Sequence, residues 1–255
     1  MPTMKTLTCE NCGNEFEVLA KRKTARFCTK GCSISFRQKI HDPDFMSIND
    51  ELHFYLLGLI LTDGCISKQE NKEERMTLRL SDKQIVEELH PLMSPDRKLY
   101  ANKPYKEEHN VSYAIVSTNK EAIATLKGYG IEHGKTYSVE YPKIAKEHTH
   151  HFIRGLFDGD GSIFTNVVKQ KKADGSILHR PYKHISFTTA SINFAEGLKS
   201  ELESFGYHPK ITEDVRGGKF YVKLYRQKEI QSFGEWIYAD SHYYLNRKKQ
   251  SFVMI

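Results

Sequence analysis

The sequence predicts an α+β protein, built from two similar αββαββα halves behind a small cysteine-rich N-terminal module. Three observations lead there. The stretch "FYLLGLILTDG", Phe54 to Gly64, is apolar and helix-like and stops at Asp-Gly; "HFIRGLFDGDG", His151 to Gly161, stops the same way with its last aspartate 97 residues further on. Strand-like and helix-like runs follow both stretches in one order. Four of the five cysteines fall in two close pairs, "CENC" and "CTKGC", near the start.

Composition bounds the answer. A chain of 255 residues has room for a large domain plus a small one. Apolar residues make up 39% and aromatics 11%, which suits a folded protein rather than a disordered one. A net charge of +6 admits a polyanionic partner without demanding one. The excess is concentrated at the front: up to His41, eight basic residues face Glu10, Glu15 and Glu17. Met1 to Cys12 has no apolar core of a secretory signal, and Phe54–Leu61 is too short to span a bilayer. An intracellular protein is therefore expected, in the cytoplasm or another internal compartment and not secreted, and its cysteines are not expected to form a disulfide set.

The cysteines Cys9, Cys12, Cys28 and Cys32 are spaced C-x2-C-x15-C-x3-C. Two close pairs can each grip one side of a tetrahedral ion, so one structural Zn²⁺ is expected on these four thiolates. Gly13 permits the tight turn after the first pair, and Phe16 and Phe27 are the expected small core. Cys32 should open a short helix, "SISFRQKI", presenting Arg37 and Lys39. So short a module builds little core, and the metal should hold it together.

Division of the chain follows: a zinc module over 1–41, a linker over 42–48 with Pro43 as punctuation, a first repeat over 49–142 and a second over 143–255. Asn49 or Asp50 is the candidate cap of the first long helix. After Gly64 come strand-like "CISKQ" and "RMTLRLS", helical "DKQIVEELHPLM", strand-like "KLYANKPY" and "VSYAIVST", and helical "NKEAIATLKGYG". After Gly161 come strand-like "SIFTNVVKQ" and "YKHISFTTA", helical "SINFAEGLKSELESFGY", strand-like "HPKITEDV" and "KFYVKLYR", and helical "QKEIQSFGEWIYA". One half cannot cover its own apolar helix, so the halves should pack through those helices about a pseudo-twofold axis.

Gly58 and Gly155 lack a Cβ, which lets two backbones approach where the helices cross. Leu57, Ile60 and Leu61 on one side, and Ile153, Leu156 and Phe157 on the other, supply the packing. Gly64 and Gly161 are expected to close the helices in the left-handed conformation. Asp63 and Asp160 then sit side by side at two helix C-termini, where the dipole and each other's charge disfavour them. Metal binding explains that placement better than stability does.

With these residues in hand the chain resembles a LAGLIDADG homing endonuclease of the single-chain, two-repeat kind, from Asp50 to the C-terminus. The motif matches at Leu56 to Gly64 and again at Ile153 to Gly161. Leu61 departs from the acid common at its place, and Asp158 keeps it; neither is the metal-binding position. The resemblance implies two αββαββα halves whose sheets form a saddle over duplex DNA. It implies cleavage of both strands of a long asymmetric target across the minor groove, leaving short 3′ overhangs. Asp63 and Asp160 match the metal-binding acids, with two or three Mg²⁺ at the site, while the backbone at position 62 carries no assignment. Lys135 and Lys248 match the basic residues that follow each repeat, beside Arg247. Asp82 and Ser191 match a polar place where the second strand of each half meets the next helix.

Alternation of period two nominates strand residues for the major groove: Ser67, Gln69, Arg75, Thr77 and Arg79, then Thr165, Lys183, Ser186, Thr188, Lys223, Tyr225 and Arg226. Each could equally be an ordinary solvent-facing residue. The basic loop "KQKKADGSILHRPYK" suits phosphate contact, and Arg37, Lys39 and Arg247 join the expected DNA contacts. The zinc module either adds such contacts or caps the fold. Smaller features have ordinary readings: "EHTHH" lacks a complete ligand set, Cys65 should pack in the core, and Trp236 should anchor the last helix.

Two rivals come from other classes. A nucleic-acid-binding protein of this fold, an intron maturase or a transcription regulator, would not need both acids intact. An intein would begin with a nucleophile and end in His-Asn. Both half-sites lie in one chain, so a monomer without an obligate protein partner is expected on double-stranded DNA.

Overall fold

In the computed structural model, which describes residues 3–39, 42–68, 73–102, 111–134 and 137–253, the two Asp-Gly helices form the centre. They are α2 (Asp50–Asp63) and α5 (Thr149–Gly159), packed along each other. Asn49 starts α2: its side chain accepts the Leu52 N–H at 2.8 Å, satisfying one of the donors a helix leaves open. α2 is covered nearly all round, from Leu52 through Tyr55 to Leu61, because α5 takes one side and its own sheet another. At the crossing a Cβ on Gly58 would lie 2.7 Å from the Leu156 nitrogen, and one on Gly155 would lie 2.9 Å from the Leu59 nitrogen.

Each helix feeds a four-stranded antiparallel sheet. The first contains β3 (Gly64–Ser67), β4 (Arg75–Leu80), β5 (Tyr100–Asn102) and β6 (Ser112–Ser117), in the order β3-β4-β6-β5. The second contains β7 (Ser162–Lys171), β8 (Ile177–Thr189), β9 (Lys210–Asp214) and β10 (Lys219–Leu224), in the matching order β7-β8-β10-β9. Behind the sheets lie α3 (Lys83–Met93) and α4 (Lys120–Gly128) in the first half, and α6 (Ile192–Ser204) and α7 (Gln227–Tyr238) in the second. Each half therefore runs helix, strand, strand, helix, strand, strand, helix, as expected. Met76, Leu78 and Ile115 in one sheet and Ile185, Phe187 and Val222 in the other point to the helices and join one core with α2 and α5. Trp236 anchors α7 against Phe205, Tyr207 and Phe233, with ring centroids 4.7, 5.6 and 6.0 Å away.

Several expectations need correction. Gly64 is extended, with φ −97° and ψ 155°, not left-handed, and Gly161 has no positive φ either. Both are glycine for want of space: a Cβ would fall 2.6 Å from the Ile60 carbonyl oxygen at Gly64 and 2.6 Å from the Phe157 carbonyl oxygen at Gly161. Residues 42–48 are not a loose linker. Phe45 and Met46 are buried in a single 3₁₀ turn, and the buried Asp42 carboxylate accepts from Arg97 at 2.9 Å and from the Thr118 N–H at 2.6 Å. The basic "loop" after β7 is mostly strand, paired from Ser162↔Ser186 out to Lys171↔Ile177 around a short turn. A further helix, α8 (Asn246–Val253), follows α7 and carries Arg247 and Lys248, where the sequence had suggested no element.

The N-terminal module is a hairpin and a helix: β1 (Met4–Thr8) pairs with β2 (Glu15–Leu19), and α1 spans Lys30–Lys39. The hairpin turn carries Cys9, Cys12 and Gly13, whose φ of +74° is the left-handed value that favours glycine. α1 begins at Lys30, two residues before Cys32. The small core is not the expected Phe16–Phe27 pair: Phe27 packs on Phe36 of α1 at 5.1 Å, and Cys9 and Val18 are the most covered residues.

Candidate active site and nucleic-acid interface

Asp63 ends α2 and Asp160 caps α5, so the parallel packing of two helices brings both carboxylates to one end of the helix pair. Gly159 makes the approach possible, since a Cβ there would lie 2.7 Å from Asp63 Oδ2. The sequence reading did not single out this glycine; the close approach is visible only once the helices are paired. Burial and then the neighbouring Asp160 charge push the Asp63 carboxyl up to about 6, against the opposing pull of the Thr62 hydroxyl, Lys248 and Arg247. A crowded pair of hard oxygen ligands of this kind fits Mg²⁺, which prefers carboxylate and water oxygens. A cleft of about 200 Å³ adjoins Asp160, bounded by Thr62, Cys65, Glu132 and Thr188.

Lys248 reaches this end from α8. Its ammonium donates to the Gly161 carbonyl and lies 5.4 Å from the Phe157 ring centroid. Burial and the Arg247 charge lower its pKa, while Asp158, Asp160 and Asp63 resist. Arg247 crosses to the first half, where its Nε donates to Asp82 at 2.8 Å. Asp82 thus holds an arginine. Ser191 is different: its hydroxyl is buried, donates to the Val139 carbonyl at 2.6 Å and accepts from the Phe194 N–H. It caps α6 instead of facing a ligand. Lys135 lies outside the described residues.

Asp158 and Arg154, on the same helix as Asp160, are fully buried yet polar. Asp158 accepts from the hydroxyls of Tyr55 at 3.1 Å and Tyr238 at 2.5 Å and from the Leu245 N–H at 2.8 Å. Burial raises its pKa to about 6 despite those donors. Arg154 donates to Glu51 at 2.7 Å and to the carbonyls of Tyr243 and Ile237. Burial would raise the Glu51 pKa, but His242 and the Arg154 charge outweigh it and hold it below the ordinary range. The histidines of "EHTHH" serve this region: the His150 and His151 rings lie 3.8 Å apart, tilted by 40°, and His148 stacks on Phe54 at 4.6 Å. Among the described residues they form no metal-ligand cluster.

Strand register decides which side chains face away from the helices. In the first sheet, Ser67, Arg75, Thr77 and Arg79 share that open face, as the alternation suggested. Cys65 joins them and is exposed, which corrects its expected place in the core. Tyr100 and Asn102 of β5 lie on this face too and were not nominated. In the second sheet, Thr188, Ser186 and Lys223 lie on the open face, with Ser186 only 3% exposed beneath longer neighbours. Thr165 and Lys183 are paired with each other and share the parity of Ile163 and Ile185, so they sit on the helix face. Lys183 instead reaches the Ser251 carbonyl on α8 at 3.4 Å. Their places are taken by Phe164 and His184, stacked at 5.1 Å, with Tyr225 stacked on His184 at 5.6 Å. Arg226 starts α7 and pairs with Glu229 at 3.0 Å. Gln69 lies outside the described residues, and so do the side chains of Arg37 and Lys39.

At the other end of the chain, Cys9, Cys12, Cys28 and Cys32 converge with all four sulfurs within 4.8 Å of one another. The Cys12–Cys28 and Cys28–Cys32 sulfur distances are 3.7 and 3.5 Å. A tetrahedron with Zn–S bonds of about 2.3 Å has edges of about 3.8 Å, close to these two spacings, so the four thiols suit one zinc ion. Burial would raise the Cys9 pKa, but backbone N–H groups of Cys28, Cys12 and Asn11 bring it down to about 6. Arg26 forms a two-pronged pair with Glu10 across the module.

No helix among the described residues is long and apolar enough to cross a membrane. No curated protein matches this sequence. Residues 147–238 match the LAGLIDADG-like domain family. Among solved structures, the LAGLIDADG meganuclease I-AabMI bound to uncleaved DNA aligns at 12% identity and a TM-score of 0.55, over 81% of this chain and 90% of that one. The meganuclease I-SmaMI bound to uncleaveable DNA aligns at 14% and 0.54, over 79% and 88%. I-DmoI in complex with DNA and Mn aligns at 17% and 0.51, over 76% and 98%. The second repeat of this chain thus matches the LAGLIDADG-like domain family, and the chain as a whole shares the fold of the single-chain LAGLIDADG homing endonucleases.

Proposed function

We propose that the protein is a site-specific homing endonuclease that makes a Mg²⁺-dependent double-strand break in a long asymmetric DNA target and leaves short 3′ overhangs. The observation that carries this reading is the pairing of Asp63 and Asp160 at adjoining helix ends, with Lys248 beside them, between two sheets whose open faces carry Arg75, Arg79 and Lys223. Asp63 and Asp160 would hold the metal, which when bound supplies Lewis-acid stabilisation of the phosphate and a more acidic water. The residues of the chain do the rest. The two carboxylates would fix where that cation sits, Lys248 places a positive charge where phosphate charge develops, and the open sheet faces set the register of the duplex and so of its scissile phosphates. A role for Lys135 beside the other strand is proposed on the resemblance alone.

The zinc module is proposed as a separate unit, held by one Zn²⁺, that adds phosphate contacts through its basic surface. The repeats are proposed to act together in a single monomeric chain on intracellular DNA. Both halves of the site are present in one polypeptide, which is why no second copy is needed.

The test is incubation of the purified protein with a randomised duplex library in Mg²⁺, followed by sequencing of cut ends, with Asp63→Asn run in parallel. One shared motif flanking paired cuts with 3′ overhangs, lost in the variant, supports the reading. Duplexes retained in Ca²⁺ with no cut ends in Mg²⁺ replace it with a non-cleaving nucleic-acid-binding function, as in a maturase or a regulator.

A further inference from the structure

The residue just before the C-terminal helix α8 is tied down by a buried carboxylate. Leu245 precedes α8, is 1% exposed, and its carbonyl accepts the N–H groups of Lys248 and Lys249 at 3.0 and 3.1 Å, so it is the helix's cap. Its own N–H goes to Asp158 Oδ2 at 2.8 Å. The other Asp158 contacts lead to two further elements: Tyr55 belongs to α2 and Tyr238 to α7. Further along α8, Lys248 meets the Gly161 carbonyl beside Asp160, and the Phe252 ring packs on Phe157 at 5.3 Å. One helix, α5, therefore carries both an active-site acid and the carboxylate that anchors the neighbouring lysine's helix.

Among the described residues the first half shows no counterpart. Two residues before Asp63 stands Leu61, apolar and 8% exposed, which offers no acceptor to a backbone N–H. Among the described residues no α-helix follows α4 before the 3₁₀ turn at Lys146. The pseudo-symmetry of the helices and sheets is thus broken at the position of this anchor.

We propose that Asp158 is a positioning residue that holds α8, and so Lys248, in register with one half of the site, and that its loss slows the break in one strand of the target more than in the other. This rests on the endonuclease reading above. Asp158→Asn keeps the shape but replaces one carboxylate oxygen with N–H₂, so Tyr238 can keep its contact only by accepting, and Leu245 and Tyr55 are left with a neutral amide oxygen, a weaker acceptor than the charged carboxylate.

Two measurements test it. The first is amide hydrogen exchange on the whole protein without DNA. Asp158→Asn is expected to lose protection over Asn246–Val253 while the α2 amides from Leu56 to Leu61 keep theirs. The second is cleavage of a duplex recovered from the library, each strand carrying its own fluorophore, by wild type, Asp158→Asn, Lys248→Met and the double variant. Asp158→Asn is expected to slow the strand that Lys248→Met slows, by about tenfold, and the other strand by less than about threefold. The double variant should be no slower on that strand than Lys248→Met alone, because the anchor acts through the lysine. Tyr238→Phe, which removes one donor and leaves the carboxylate, should show the same bias more weakly and covers the case in which Asp158→Asn folds poorly. Equal slowing of both strands, additive losses in the double variant, or unchanged exchange over α8 overturns the proposal. A wild type that cuts no duplex sinks the endonuclease reading instead, and the exchange result still decides whether Asp158 anchors α8.

Discussion

Gly58 and Gly155 are each other's packing surface: a Cβ on Gly155 would stand 3.1 Å from the Gly58 Cα, and one on Gly58 would stand 3.0 Å from the Gly155 carbonyl carbon. Backbone cannot yield as a side chain end can, so the helices must separate to admit even a methyl group. Gly58→Ala or Gly155→Ala should destabilise by about 3 kcal/mol. In a chain of this size that is a fall in melting temperature on the order of 6–12 °C. A melting temperature unchanged in either variant would show that the helices do not cross this closely.

The acids at the far end of that crossing should be dispensable for binding and indispensable for cutting. Asp63→Asn and Asp160→Asn keep side-chain size and lose the charge a cation needs. Each is expected to lower Mg²⁺-dependent cleavage of the recovered target by at least about a hundredfold, on both strands. A mobility shift in Ca²⁺ should change little, since affinity comes chiefly from phosphate and base contacts along the sheets. Wild-type cleavage by either variant would remove both acids from the site.

The N-terminal module should carry about one zinc per chain by elemental analysis, since four thiolates complete one tetrahedral shell. Cys28→Ser or a strong chelator should unfold residues 3–39 and leave the two-repeat body intact, because the module's core is little more than Cys9, Val18 and the Phe27–Phe36 pair. Amide exchange resolved by segment reads both parts at once. Full protection of the module in metal-free protein would mean that zinc does not hold it.

Acid should weaken the fold through His151. Burial, followed by the charges of His150 and Arg154, lowers its pKa to about 4, with Glu51 pulling the other way and His148 adding repulsion. Its Nδ1 lies 3.1 Å from Arg154 Nη1 and accepts that N–H only while the imidazole is neutral. The unfolded imidazole titrates near about 6.5. Between about 6.5 and about 4 the unfolded chain binds a proton that the folded chain refuses, so stability falls as pH drops through that window. His151→Gln keeps an acceptor and removes the titration. It should flatten this part of the stability profile, read by denaturant unfolding at several pH values. An unchanged slope would place the titrating group elsewhere.

Arg154 has no exposed surface and spends its donors on Glu51, Tyr243, Ile237 and His151. Arg154→Met should cost about 3–5 kcal/mol, because it leaves a carboxylate and two carbonyls facing an apolar side chain. Combining it with Glu51→Gln should cost less than the sum of the single changes. Strict additivity would mean the two side chains do not depend on each other.

The sequence by itself determined what repeats and what is local. Asn49 as a cap, the order of strands and helices, the two glycines at the helix crossing, the two acids that end the helices and the paired cysteines were all legible, because hydrophobic period, turn chemistry and ligand spacing act between near neighbours or recur at a fixed interval. Tertiary structure decided everything that depends on which surface another element covers. Thr165 and Lys183 share the parity of Ile163 and Ile185, the face that only packing against the helices closes off. Cys65 shares the open face with Ser67, two residues on, and only the packed sheet shows that this face is left uncovered. Gly64 and Gly161 proved to be glycine because Ile60 and Phe157 leave no room, not because the backbone is left-handed. Arg247 meeting Asp82, and Asp158 meeting Tyr55, Tyr238 and Leu245, join residues 80 or more apart. No spacing rule reaches that far: such pairs form only when packing two repeats together removes the water that would otherwise satisfy each group alone.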